Sequence, residues 1–240
     1  MRLIYCLLLL SLPISISSAT VKQKKKILVF AKTAGFRHAS IPKGKEALLL
    51  MGKQNNFLVD TTEDASLFTT ETLKKYDAVV FLSTTGNIFN NEQQAAFEAF
   101  IRSGKGFVGI HAAADTEYEW PWYNKLVGAY FLSHPKQQKA KLTITDHKHA
   151  STKHLPHVWE RFDEWYNYKS RNNDVKVLMT IDESSYEGGK EGAYHPMAWY
   201  HSFDGGRAFY TALGHTDESY KEENFLKHVL GGIKYAMGRK

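Results

Sequence analysis

The sequence predicts an α/β protein with a mostly parallel central sheet and helices on both faces. Two observations carry that prediction. Near-continuous apolar runs such as KILVFAKT (Lys26 to Thr33), YDAVVFLST (Tyr76 to Thr84) and GFVGIH (Gly106 to His111) read as strands buried on both sides. Between them lie segments with helical periodicity and recognisable start and stop residues, and strands alternating with helices specify a parallel, layered fold.

The elements follow in order. Ser40 or Ile41-Pro42 opens a helix carrying Ala47, Leu48 and Met51, and Gly52 stops it. Phe57 to Thr61 reads as the second strand. Asn90 or Asn91 caps NEQQAAFEAFIRS, whose Phe97, Phe100 and Ile101 share a face, and Gly104 ends it. In the less regular later half, LTITD (Leu142 to Asp146), VKVLMTID (Val175 to Asp182), MAWYHSF (Met197 to Phe203) and RAFYTAL (Arg207 to Leu213) read as strands. NFLKHVLGGIKYAM (Asn224 to Met237) closes the chain as a helix that the Gly231-Gly232 pair weakens. No repeat or linker interrupts this pattern, so residues 27–240 form a single domain.

The N-terminus reads as an address. In residues 1–19 one early Arg precedes an apolar run, and the small residues Ser17 and Ala19 suit a signal peptidase. The run is too short to span a bilayer comfortably. Residues 20–26 read as a basic, flexible leader. Cleavage after Ala19 would remove Cys6, the only cysteine, and with it any disulfide, thiolate metal site or cysteine nucleophile. The expected location is outside the cytoplasm, in a bacterial periplasm, with no stable membrane insertion after cleavage.

The net charge of +6 is concentrated in the same stretch. Arg2, Lys22, Lys24, Lys25 and Lys26 supply five positive charges, leaving 26 basic against 25 acidic residues in the body. So neutral a body lacks the basic surface that nucleic-acid backbones require.

Ligands of open parallel sheets collect beyond the carboxyl ends of the strands. Arg37 and His38 follow the first strand, the turn Thr84 to Asn87 follows the third, His111 and Asp115 follow the fourth, and His215 follows the last. His134, in FLSHPKQQ, and Asp163, Glu164, Trp165 and Tyr166, in RFDEWYNY, would roof the crevice. A carboxylate among several histidines suits either a metal site or a general acid/base pair. Trp120, Trp122, Trp165 and Trp199 would supply flat faces for a sugar ring. His147, His149, His154 and His157 read as solvated loop residues and His228 as superficial, with His195 and His201 ambiguous.

The segments GFRH (Gly35 to His38), GIHAAADT (Gly109 to Thr116), SHP (Ser133 to Pro135), FDEWY (Phe162 to Tyr166), PMAWY (Pro196 to Tyr200) and GGRAFYTALGH (Gly205 to His215) closely resemble the trehalose-utilisation, or ThuA-like, family. The resemblance spans nearly the whole mature chain. It implies a class I glutamine amidotransferase-like fold, a three-layer sandwich of the flavodoxin-like kind. There the turn that would hold a nucleophilic cysteine carries His111, so glutamine hydrolysis through a thiolate is excluded.

The resemblance also implies a role in sugar utilisation, with links to disaccharides and 3-keto-glycosides. A 3-keto sugar has acidic protons beside its carbonyl, so its chemistry needs a base and an electrophile. The expected function is therefore a carbohydrate-active enzyme, an isomerase, lyase or hydrolase, working by acid/base chemistry with help from a divalent metal such as zinc or manganese. The alternative is a non-catalytic sugar-binding protein. His111, Glu164 and His215 are the expected catalytic residues; Arg37, His38, Asp115, His134, Tyr166 and Trp199 the expected substrate contacts; and His38, His111, His134, Glu164 and His215 the candidate metal ligands.

Overall fold

The computed structural model describes residues 23–238. The expected signal segment, with Cys6, and leader residues 20–22 lie outside the described residues. In chain order the elements are β1 (Lys26–Phe30), α1 (Ile41–Gln54), β2 (Leu58–Thr62), α2 (Thr70–Leu73), β3 (Ala78–Leu82), α3 (Asn91–Arg102), β4 (Gly106–Ile110) and α4 (Pro121–Val127). They continue with β5 (Tyr130–Ser133), β6 (Gln138–Ile144), β7 (Val158–Asp163), β8 (Asn167–Lys169), β9 (Lys176–Ile181), β10 (Pro196–Phe203), β11 (Gly206–Thr211) and α5 (Glu223–Ala236).

Among the described residues nine strands form one sheet in the order β2-β1-β3-β4-β11-β10-β9-β6-β7, and β5 pairs with β8 separately. Pairing is parallel from β2 through β11 and antiparallel from β11 through β7. The sequence explains the division. β3 and β4 are buried along their whole length, as strands covered on both faces must be, whereas β6 and β7 alternate buried with exposed residues. β10 and β11 are joined at Asp204-Gly205, both with positive φ (46° and 86°), which suits a tight hairpin.

Adjacent strand residues point to opposite faces. Phe81 of β3 meets Phe97 of α3 and Tyr123 of α4, while Leu82 lies against Gly44 of α1. Helices therefore cover both faces. The Asn90 side chain accepts from Gln93 N–H, and the Gln93 side chain accepts in return from Asn90 N–H, fixing the start of α3. The glycine pair in α5 is the means by which that helix docks. A Cβ on Gly231 would meet the Ser151 backbone at 2.3 Å, and one on Gly232 the Phe209 ring at 2.4 Å.

Two expectations are corrected here. Lys25, read above as part of a flexible leader, is anchored, and Lys26 takes its strand reading rather than its leader reading. Lys25 Nζ lies 2.9 Å from Asp77, Lys26 Nζ lies 2.7 Å from Asp60, and Lys26 is the first residue of β1. His228 is buried beneath the helix, where its Nδ1–H donates to Ser151 O at 3.0 Å. No helix among the described residues is long and apolar enough to cross a membrane.

Candidate functional site: a histidine and carboxylate cluster

β1, β4 and β11 run parallel, so their carboxyl ends lie at one edge, and each is followed by a loop bearing a histidine. His38 is buried in the β1 loop, which Thr85 clamps by donating its hydroxyl to Phe36 O (2.8 Å) and accepting from Gly35 N–H (3.2 Å). His111 directly follows β4 and is fully buried, with a left-handed backbone of φ 50°. The Tyr210 hydroxyl donates to its carbonyl at 2.8 Å. The His111 Nδ1–H donates to Ala212 O at 2.7 Å, which fixes the tautomer and turns a bare Nε2 into the crevice. His215 follows β11, and its Nε2 contacts the Gln137 side-chain amide at 2.7 Å, leaving Nδ1 facing inward.

Glu164, just beyond β7, completes the group. Its Oε2 lies 3.1 Å from His215 Nδ1 and 3.4 Å from His111 Nε2, and those two nitrogens are 3.1 Å apart. One ligand-capable atom from each of His38, His111, Glu164 and His215 falls within 4.8 Å of every other. Bonds of 2.0–2.2 Å to one tetrahedral ion would separate its ligands by about 3.4 Å. The donor set, three imidazoles and a carboxylate, thus fits a zinc-like or manganese-like cation. His38 Nδ1 is buried with no hydrogen-bond partner.

The electrostatics agree. Burial, reinforced by His111 and His215, pushes the His38 imidazole down to about 3, so it is neutral at physiological pH. Burial alone would raise the Glu164 carboxyl, but the adjacent His111 and His215 imidazoles hold it well below the usual carboxylate range. Glu164 is thus ionised and weakly basic, which favours the ligand role over the acid/base one, the two left open by the sequence. Asp115 behaves oppositely. Burial raises its carboxyl, against the opposing bond from the Tyr118 hydroxyl at 2.5 Å.

These groups open onto a cavity of about 350 Å³ lined by Phe36, His38, Asp115, Phe131, His134, Gln137, Glu164, Tyr166 and His215. Tyr166 packs between His111 and Phe131, with ring centroids 4.4 Å from each. His134 stands half-exposed at the mouth, its Nδ1 3.2 Å from Glu164 Oε1. A groove of similar volume between α1 and α5 is lined mainly by Leu50, Met51, Leu226 and Leu230, and its Lys227 and Glu223 pair with each other. It offers no convergent chemistry.

Of the expected site residues, His38, His111, Asp115, His134, Glu164, Tyr166 and His215 are brought together, and Arg37 and Trp199 are not. Arg37 turns away into a two-pronged bond with Glu63 (2.9 and 3.0 Å). Trp199 is buried in the core against Tyr210 and Tyr168, its indole N–H donating to Val127 O. Trp120, Trp122 and Trp165 also bond elsewhere, to Glu98, Asp204 and Gln138, and none lines the cavity. Its aromatic wall is Phe36, Phe131 and Tyr166 instead.

The turn at Thr84 to Asn87 braces two loops rather than approaching a ligand: Thr85 O accepts from Ala34 N–H, and Gly86 N–H donates to Asp115 O. The remaining histidines are structural. His195 contacts Tyr166 O and Glu183, and His201 donates to Leu126 O. In the loop expected to be solvated, His149 stacks on Tyr200, His154 donates to Asn224 O, and His147 meets the His157 ring. Sequence reasoning passed over Phe36, Phe131 and Gln137, although each lies in or beside a segment that carries a site histidine.

A family profile described as trehalose utilisation matches residues 26–236. No functionally curated protein matches the chain. Among solved structures, a ThuA-like protein from Bacteroides uniformis is similar at 23% identity and a TM-score of 0.76, covering 94% of this chain and 95% of that one. Another, from Parabacteroides merdae, is similar at 21% identity with a TM-score of 0.76, covering 90% and 91%. A β-galactosidase from Bacillus circulans sp. alkalophilus shares the fold over 31% of its own length and 90% of this chain, at 13% identity and a TM-score of 0.60. The architecture is thus the class I glutamine amidotransferase-like one.

Proposed function

The chain belongs to the trehalose-utilisation (ThuA) family, and from that premise we propose that it is a metal-assisted enzyme acting on a glycoside or 3-keto-glycoside. The observation that carries the reading is the convergence of His38, His111, Glu164 and His215 donor atoms within 4.8 Å at the floor of a cavity. His38, His111, Glu164 and His215 would hold a divalent cation, which would supply Lewis acidity toward a sugar carbonyl. The chain's own residues do the rest. The neutral imidazole of His38 and the ionised Glu164 present ligand atoms without further proton loss. Asp115, its carboxyl raised by burial, is the group suited to take a proton from the carbon beside a sugar carbonyl, the step shared by isomerases and lyases of keto sugars. Tyr118 orients that carboxyl, and His134 at the mouth is placed to exchange protons with solvent.

The test is elemental analysis of protein purified without an affinity tag, followed by incubation with a panel of glycosides and 3-keto-glycosides and identification of products. Stoichiometric zinc, manganese or iron together with turnover is expected. Binding without turnover would convert the reading to a sugar-binding protein, and absence of metal would remove the metal-assisted form. The N-terminal sequence supports this chemistry taking place after export, in the periplasm. Intact mass of the exported protein should begin near Thr20, and retention of Met1 would overturn export.

A further inference from the structure

We propose that Asp163 is the positioning residue of the cluster, a single carboxylate that holds two ligand-bearing loops in register; the proposal rests on the metal-site reading above. β7 is an edge strand of the sheet and is separated from β11 by β10, β9 and β6. Nothing in strand pairing brings their following residues together, yet Glu164 and His215 touch. The connection is Asp163, fully buried. Its Oδ1 accepts from the backbone N–H groups of both Glu164 (3.0 Å) and His215 (3.1 Å), and its Oδ2 accepts from Gly214 N–H at 2.9 Å.

The carboxylate is itself held from behind. Arg161 Nη2 lies 3.0 Å from Oδ2, and its guanidinium is sandwiched between the rings of Trp159 (4.8 Å) and Phe225 (5.1 Å). The Ser219 hydroxyl approaches the same oxygen at 3.4 Å. Asp163 is fully buried and does not line the cavity, so it acts through its neighbours. Partners of this kind, which orient ligands without binding the metal, typically contribute 10- to 100-fold to metal affinity.

Cobalt(II) is the probe, because its visible bands report coordination geometry as well as occupancy. Wild type and Asp163→Asn, each checked for native fold by circular dichroism, are titrated with it. Asn retains the size of the side chain but replaces one acceptor oxygen with an N–H₂ that faces donors. The expected result is folded D163N that binds cobalt 10- to 100-fold more weakly, with altered bands. Unchanged affinity and bands in folded D163N would overturn the proposal alone. A wild type that takes up no cobalt would overturn the metal reading and this proposal with it. Should D163N fail to fold, Arg161→Lys loosens Asp163 from behind while leaving its three N–H contacts in place. A several-fold loss with shifted bands is then expected, and an unchanged titration overturns the proposal in the same way.

Discussion

On the parallel side of the sheet, β1, β4 and β11 end at one edge and each delivers a histidine; on the antiparallel side, β7 delivers the one carboxylate of the cluster from the far edge. The histidines meet because parallel strands end together, a consequence of topology that any sequence with this strand pattern would share. Glu164 meets them only because a buried hydrogen-bonded knot carries it there. Convergence by topology follows from the order of strands along the chain, whereas the contacts that carry Glu164 across the sheet show only in the folded structure.

The comparison can be broken by substitution. The largest effect is expected at His111. His111→Ala should fold but lose a metal ligand, lowering turnover by more than the about 10- to 100-fold that removal of an orienting partner costs. Normal turnover per folded molecule would show that the histidine edge is structural. Trp199→Ala should do the reverse, costing about 3–5 kcal/mol in urea unfolding while sugar binding per folded molecule persists. Loss of binding at full stability would return Trp199 to the site.

A smaller effect concerns His228, buried away from the cluster and pushed down to about 3 by burial. The unfolded chain binds a proton there near pH 6.5 and the folded one does not. Stability is therefore fully present above about pH 6.5 and declines as the pH falls towards 3, by up to about 1.4 kcal/mol per pH unit. Urea unfolding at pH 7 and pH 5 should show this decline, and part of it should vanish in His228→Leu. A flat profile would mean that His228 charges in place.

Phe36→Ala should weaken sugar binding about 2- to 10-fold, since the ring is 66% exposed at the rim while its backbone is clamped. Equilibrium titration with trehalose or methyl glucoside reads this, and unchanged affinity would remove the aromatic wall from recognition. Arg37→Ala should leave both binding and turnover unchanged, its bond being to Glu63 on the exposed surface.

Much of the fold was legible because its signals are local. β3 and β4 are apolar throughout, and Asn90 announces α3 through its own side chain. The Asp204-Gly205 step is an equally local hairpin signal, which would have foretold the antiparallel β10–β11 pair. Trp199 and Arg37 are expected in the site from the sequence but do not line the cavity, because a residue type does not say which way it faces. A tryptophan serves a core as well as a sugar, and an arginine pairs with whatever carboxylate the fold presents. Asp163 stood beside Glu164 in the same motif, but its role depends on N–H groups 51 and 52 residues away. The glycine pair in α5 looked like a weakness because its use lies in what packs against it.

The left-handed backbone of His111 sets folding and chemistry against each other at one residue. A side chain in that conformation costs about 1–2 kcal/mol, a penalty that glycine escapes. His111→Gly should therefore be more stable than His111→Ala, although both forfeit the bond to Ala212 O and the packing on Tyr166. The imidazole thus anchors the turn that strains it, and an engineer who relieves the backbone there removes the side chain that holds the loop.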